Sequence, residues 1–163
     1  MEEKKITKLE RFKKAYEIVR NKYNLPKYEE INDDFEIEKL CDKETDFLIR
    51  NIRREMLEKM ANYMRFLEAL MNPSNAPFLF MALGNQITEK EKKIIGDLYS
   101  KFGKYFIKSV ELDNESSEKQ EVELILEICG EWKQIKKDFK ELAATFDASF
   151  EKKKEKKAKN YIS

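Results

Sequence analysis

Three of the six arginines of this 163-residue chain fall in one stretch, Arg50-Asn51-Ile52-Arg53-Arg54, while 27 lysines carry most of its positive charge. A guanidinium presents a planar fork of donors that matches a phosphate, which makes Arg50, Arg53 and Arg54 candidate contacts to an anion or to nucleic acid. On a helix, however, Asp46, Arg50, Arg54 and Glu58 succeed one another at four-residue intervals, and such a ladder neutralises itself. The salt-bridged helix face is therefore the leading reading of the cluster, and phosphate contact the alternative.

The formal net charge of +1 hides a separation. Residues 151–163 hold six Lys and two Glu, whereas residues 29–46 hold nine acids and two Lys. A Lys-rich run such as 152–157 is usually a solvated helix end favoured by the negative pole of the helix before it; the alternative is an arm for nucleic acid or anionic lipid, with Lys153 and Lys156 as contacts. The run has no aromatic residue before Tyr161 on which a base could stack. In the acidic stretch, Asp34-Phe35-Glu36-Ile37-Glu38 alternates oxygen ligands but lacks the glycine that turns a calcium loop and the closing Glu at its proper distance. A solvated connector that lays Phe35, Ile37 and Leu40 on the core is the better reading.

Catalytic chemistry has little to build on. Histidine is absent, which removes the commonest general base and metal ligand. Cys41 and Cys129 stand 88 positions apart without a neighbouring Cys, so neither a zinc nor a redox motif forms, and reduced structural thiols are expected. There is no glycine-rich phosphate loop. The expectation is a chain that is not an enzyme, with no catalytic, cofactor-binding or metal-ligating residue to name.

The elements that would position any site are helices. Four Gly and three Pro in a chain with 40% charged residues leave few breakers, so the fold class is all-α. Leu9, Phe12, Tyr16, Val19 and Tyr23 predict a first helix over about 4–23, closed before Pro26. A connector spans 27–42. A second helix over about 43–71 carries Ile49, Ile52, Met56, Met60, Tyr63, Leu67 and Leu70 on one stripe. Capping signatures at Thr88 and Ser117 open a third helix ending near Leu112 and a fourth, the longest, with the stripe Ile125, Cys129, Trp132, Ile135, Phe139, Leu142, Phe146 and Phe150. The near-heptad spacing predicts an antiparallel four-helix bundle as one domain over 1–150, followed by the Lys-rich segment 151–163 as a tail or helix extension.

Charge nearly vanishes between Met60 and Leu83, where only Arg65 and Glu68 are charged. Those two, three positions apart on a helix, are expected as a buried pair. Residues 75–84 are expected as an additional short helix buried in the bundle, with Gly84 in a left-handed terminating conformation. Gly96, Ser100 and Gly103 predict a close helix crossing, with a small-ligand slot as the alternative. So short a helix cannot turn all its large side chains to one core, and Phe78, Phe80, Met81 and Met71 are the expected partner interface.

Neither apolar stretch of 60–83 reaches the roughly 18 residues of a membrane span, which leads to a cytoplasmic protein with no membrane partner. The function expected is protein–protein interaction or scaffolding, with self-association into a homo-oligomer such as a dimer. A nucleic-acid-associated protein is the alternative, and a carboxylate-based metal or small-ligand binder the third reading.

Overall fold

The structure, a computed structural model, describes residues 7–43, 45–115 and 117–160; the side chains of 45, 75 and 149–160 lie outside that description. Every regular element among the described residues is helical. Helix α1 spans Lys8–Tyr23, α2 Tyr28–Phe35, α3 Leu48–Met71, α4 Phe78–Gly84, α5 Glu89–Asn114 and α6 Glu118–Asn160, with 3₁₀ turns at Ile37–Leu40, Thr45–Phe47 and Pro73–Asn75.

The chain divides into two compact units that share α3, α5 and α6. Unit 1 comprises Met1–Asn62 with Lys104–Gly130, and unit 2 comprises Tyr63–Gly103 with Glu131–Ser163.

In unit 1, Thr7 opens α1 through a capping box. The Glu10 amide donates to the Thr7 hydroxyl at 3.2 Å, and the Thr7 amide donates to the Glu10 carboxylate at 2.8 Å. Asn24, at φ 54°, closes the helix in the left-handed region that Asn tolerates. The acidic stretch expected as a connector is itself largely helical, because Tyr28, Ile31 and Phe35 recur at helical spacing and are all buried. Phe35, Ile37 and Leu40 do lie in the core, as their alternation with acids suggested. Phe12, Tyr16 and Tyr28 make edge-to-face ring contacts at 6.2 and 5.7 Å, and the Tyr16 hydroxyl donates to the Pro26 carbonyl at 2.8 Å.

In unit 2, Leu67, Leu70, Ile95, Leu98, Phe102, Trp132, Ile135, Leu142 and Phe146 form the core. Tyr63 lies between Trp132 and Phe139, with ring centroids at 6.1 and 4.6 Å. Helices α5 and α6 run antiparallel, since Lys90 pairs with Glu141 and Lys101 with Glu131. The predicted stripes of α3 and α6 match burial closely. The side chain of Phe150 lies outside the described residues.

Three expectations are corrected here. Helix α4 is not buried: Leu83 is its one buried residue, and Phe78 is 84% exposed. Two turns cannot bury a segment that is apolar on every side. Gly84 does not take a positive φ. It is needed for space instead, because a Cβ there would stand 3.1 Å from Pro73 Cγ and 3.3 Å from the Leu70 carbonyl oxygen. Gly96 and Gly103 mark no close crossing, as a Cβ on either would meet nothing within 4 Å.

The start of α5 yields a pH prediction. The Thr88 amide donates to Glu91 Oε2 at 2.9 Å, and the Thr88 hydroxyl bonds the same oxygen. These bonds, the hydroxyl's foremost, hold the buried Glu91 carboxyl below its usual range. A depressed folded-state value contributes stability that is present above the unfolded value near 4.3 and is lost as pH falls through the folded one. Urea melts at neutral pH should show Thr88→Ala about 1 kcal/mol less stable than the parent, and this deficit should shrink as pH falls from about 5 to about 2.5.

Candidate functional site

The arginine cluster lies on α3 in unit 1, and the fold turns its members to different environments. Arg53 is fully buried. One of its terminal nitrogens bonds the Ser109 hydroxyl and, at 3.3 Å, the Ser109 carbonyl; the other reaches Asp113 Oδ1 at 2.5 Å. Arg54 bonds the same Asp113 oxygen at 3.1 Å, and the two guanidinium groups, Arg53 foremost, hold that carboxyl below the usual carboxylate range. Arg50 donates from Nε to the buried Glu121 carboxylate at 3.2 Å and lies over the exposed Phe47 ring at 5.4 Å.

Arg53 is thus a correction to the phosphate reading. A guanidinium with no accessible surface, bonded to α5, meets no external anion. Arg50 and Arg54 bond carboxylates of other helices, Glu121 of α6 and Asp113 of α5. The backbone at Lys153 and Lys156 is helical, while their side chains lie outside the described residues.

Arg65 and Glu68 correct a second expectation: both are exposed rather than buried. The Glu68 carboxylate accepts a hydrogen bond from the Tyr99 hydroxyl at 2.9 Å. They lie on the outer side of α3, opposite the stripe of Leu67 and Leu70, so the low charge of 60–83 did not mean enclosure.

Of the expected partner residues, Phe78 is 84%, Met71 53% and Met81 42% exposed, and Leu79, outside that expected set, is 51% exposed. Phe80 turns inward and meets Phe66 edge to face at 5.8 Å. Phe80 is therefore a mount for α4 and only partly accessible. Between Glu68 and Glu89 the sequence carries no charge at all, so this apolar surface has no ionic group of its own stretch among it.

Chemistry is sparse elsewhere. Among the described residues no group of three or more His, Cys, Asp and Glu could hold a metal ion. Cys41 and Cys129 are free, and burial pushes the Cys129 thiol up to about 12, so at neutral pH it is a protonated thiol rather than a nucleophile. An open groove of about 570 Å³ in unit 1 is lined by Glu111, Glu115, Glu123 and Glu127, with Lys108 bonded to Glu127. Among the described residues no helix is long and apolar enough to cross a membrane.

The buried guanidinium generates a prediction. Asp113→Ala should cost about 2 kcal/mol in urea melts, below the full cost of breaking a buried pair because Asp113 itself is part-exposed. Adding Arg53→Met should recover most of that loss, since the uncompensated charge is then gone. Comparison with protein-family models, with curated proteins and with solved structures finds no match to this chain.

Proposed function

We propose that this protein is a non-catalytic helical docking protein whose working surface is the apolar end of unit 2, made by α4 and the last turn of α3. The exposure of Phe78, Leu79, Met81 and Met71 on a charge-free stretch carries this reading. Leaving one such side chain in water forfeits about 1.5 to 3 kcal/mol relative to burying it, and a partner surface recovers that loss. The frame we take for the surface is the antiparallel bundle of α1, α3, α5 and α6.

Docking against a protein chain, including a second copy of this one, is the form that the sequence favours. The four side chains expose about 400 Å², within the range of functional patches but about half of what each partner of a stable pair contributes. Self-pairing through this patch alone is accordingly weak and concentration-dependent. A nucleic-acid role has lost its central contact with the enclosure of Arg53.

Replacement of Phe78 and Leu79 by Asp separates a docking surface from a structural one. Helicity should persist and the urea-derived stability should stay within about 0.5 kcal/mol of the parent, as for surface positions generally. A loss above about 2 kcal/mol would place both side chains in the folding core and end the docking reading. In light scattering, a mass above the 19.5 kDa monomer that falls in the double variant supports self-pairing, and a parent that stays at 19.5 kDa at high concentration removes it.

A further inference from the structure

Helix α6 passes the start of α5 at residues 141–145, where Glu141 pairs with Lys90 and the Thr145 hydroxyl lies 3.4 Å from Glu91 Oε1. The antiparallel direction of the two helices then carries α6 onward, away from the body of α5, as continuous helix to Asn160. At 1.5 Å per residue the remaining turns extend about 22 Å further. Helix α4 joins the end of α3 to the start of α5, so α4 and this extension lie at the same end of unit 2.

The extension is the Lys-rich run. Residues 151–160 hold six Lys and two Glu, a net charge of +4. At 3.6 residues per turn the six Lys positions are spread around most of the helix, with Lys154 and Lys159 nearest the positions of Glu151 and Glu155. One end of unit 2 therefore combines a charge-free apolar stretch with a Lys-rich helical segment.

Resting on the docking reading of α4, we infer that this end binds an anionic lipid surface, lying on the membrane rather than crossing it. The apolar side chains enter the acyl boundary, and the net positive charge of the Lys-rich segment meets the headgroup charge. Neither element suffices by itself: a small apolar insertion gives marginal, reversible binding, and a polybasic segment supplies the second signal that makes it stable. A second copy is the poorer occupant. Two-fold pairing would bring two runs of +4 toward each other, and the patch is about half the size that a stable pair uses. No helix of the described residues spans a bilayer, which agrees with a surface mode.

Co-sedimentation of the full chain with vesicles tests this inference. One vesicle is phosphatidylcholine with about 30% phosphatidylserine, and the other is phosphatidylcholine alone. The parent should bind the anionic vesicles and lose most of that binding when ionic strength rises from about 0.1 to about 0.5 M. Lys152→Gln, Lys153→Gln, Lys156→Gln and Lys157→Gln together should weaken binding by about 100-fold or more. Phe78→Asp with Leu79→Asp should weaken it by about 30-fold or more.

Failure to sediment with anionic vesicles, equal binding to both vesicles, or a lysine variant that binds like the parent would each overturn the inference. If the Phe78 and Leu79 variant is as stable as the parent while no vesicle is bound, the lipid inference falls and the docking surface stands. If that variant unfolds, the docking reading itself falls. A mass above 19.5 kDa without vesicle binding overturns the lipid inference in favour of a second copy.

Discussion

The apolar stripe of α6 is the constraint on which both units depend. Val122, Ile125 and Ile128 contribute to the core of unit 1, and Trp132, Ile135, Leu142 and Phe146 to that of unit 2. With the half-buried Phe139 between Ile135 and Leu142, these residues recur at spacings of three and four along one uninterrupted helix, so its buried face is set by the helical period. Large side chains at those positions fix which surfaces of the other helices are shielded from water. Trp132, stacked on Tyr63, is the largest fully buried example. With 40% of residues charged, the chain has little other apolar surface to spare, and concentrating it in a few stripes is what allows a core at all.

Charge inside unit 1 follows from that scarcity. Arg53 occupies a position on the inner side of α3, and its two terminal nitrogens bond Ser109 and Asp113 of α5 while its buried Nε has no hydrogen-bond partner. A buried charge is tolerable only when it is bonded as well as paired, and three acceptor atoms serve the terminal nitrogens of Arg53. Arg50 reaches the almost inaccessible Glu121 in the same way. The arginines are thus cross-links between helices, which explains the choice of Arg over the far more numerous Lys at these positions: a planar fork holds two acceptors in fixed geometry.

Unit 2 ends differently. Leu83 anchors α4 in the core, Phe80 rests on Phe66, and Gly84 lets Pro73 and the Leu70 carbonyl approach closely. These contacts are enough to seat a helix of two turns, and they leave its other apolar side chains directed to water. The side chains of Phe78, Leu79 and Met81, which the core does not use, remain exposed.

By itself the sequence determined the helical class, the ends of α1 and α3, the starts of α5 and α6 and the inner stripes of α3 and α6, because these rest on local propensity and on a period of 3.6 residues that needs no tertiary information. Two further local signals stand in the sequence: Thr7-Lys8-Leu9-Glu10 is a capping box, and Tyr28, Ile31 and Phe35 have helical spacing within an acidic stretch. Only the tertiary structure decided how low charge translates into burial. Arg53 is enclosed and Arg65 exposed, although both sit on the same helix among apolar neighbours, because enclosure depends on which side another helix covers. The same reason explains α4. Its composition announced a core element, yet whether a short apolar helix faces inward or outward is set by the space its neighbours leave, and they left room for Leu83 and Phe80 alone.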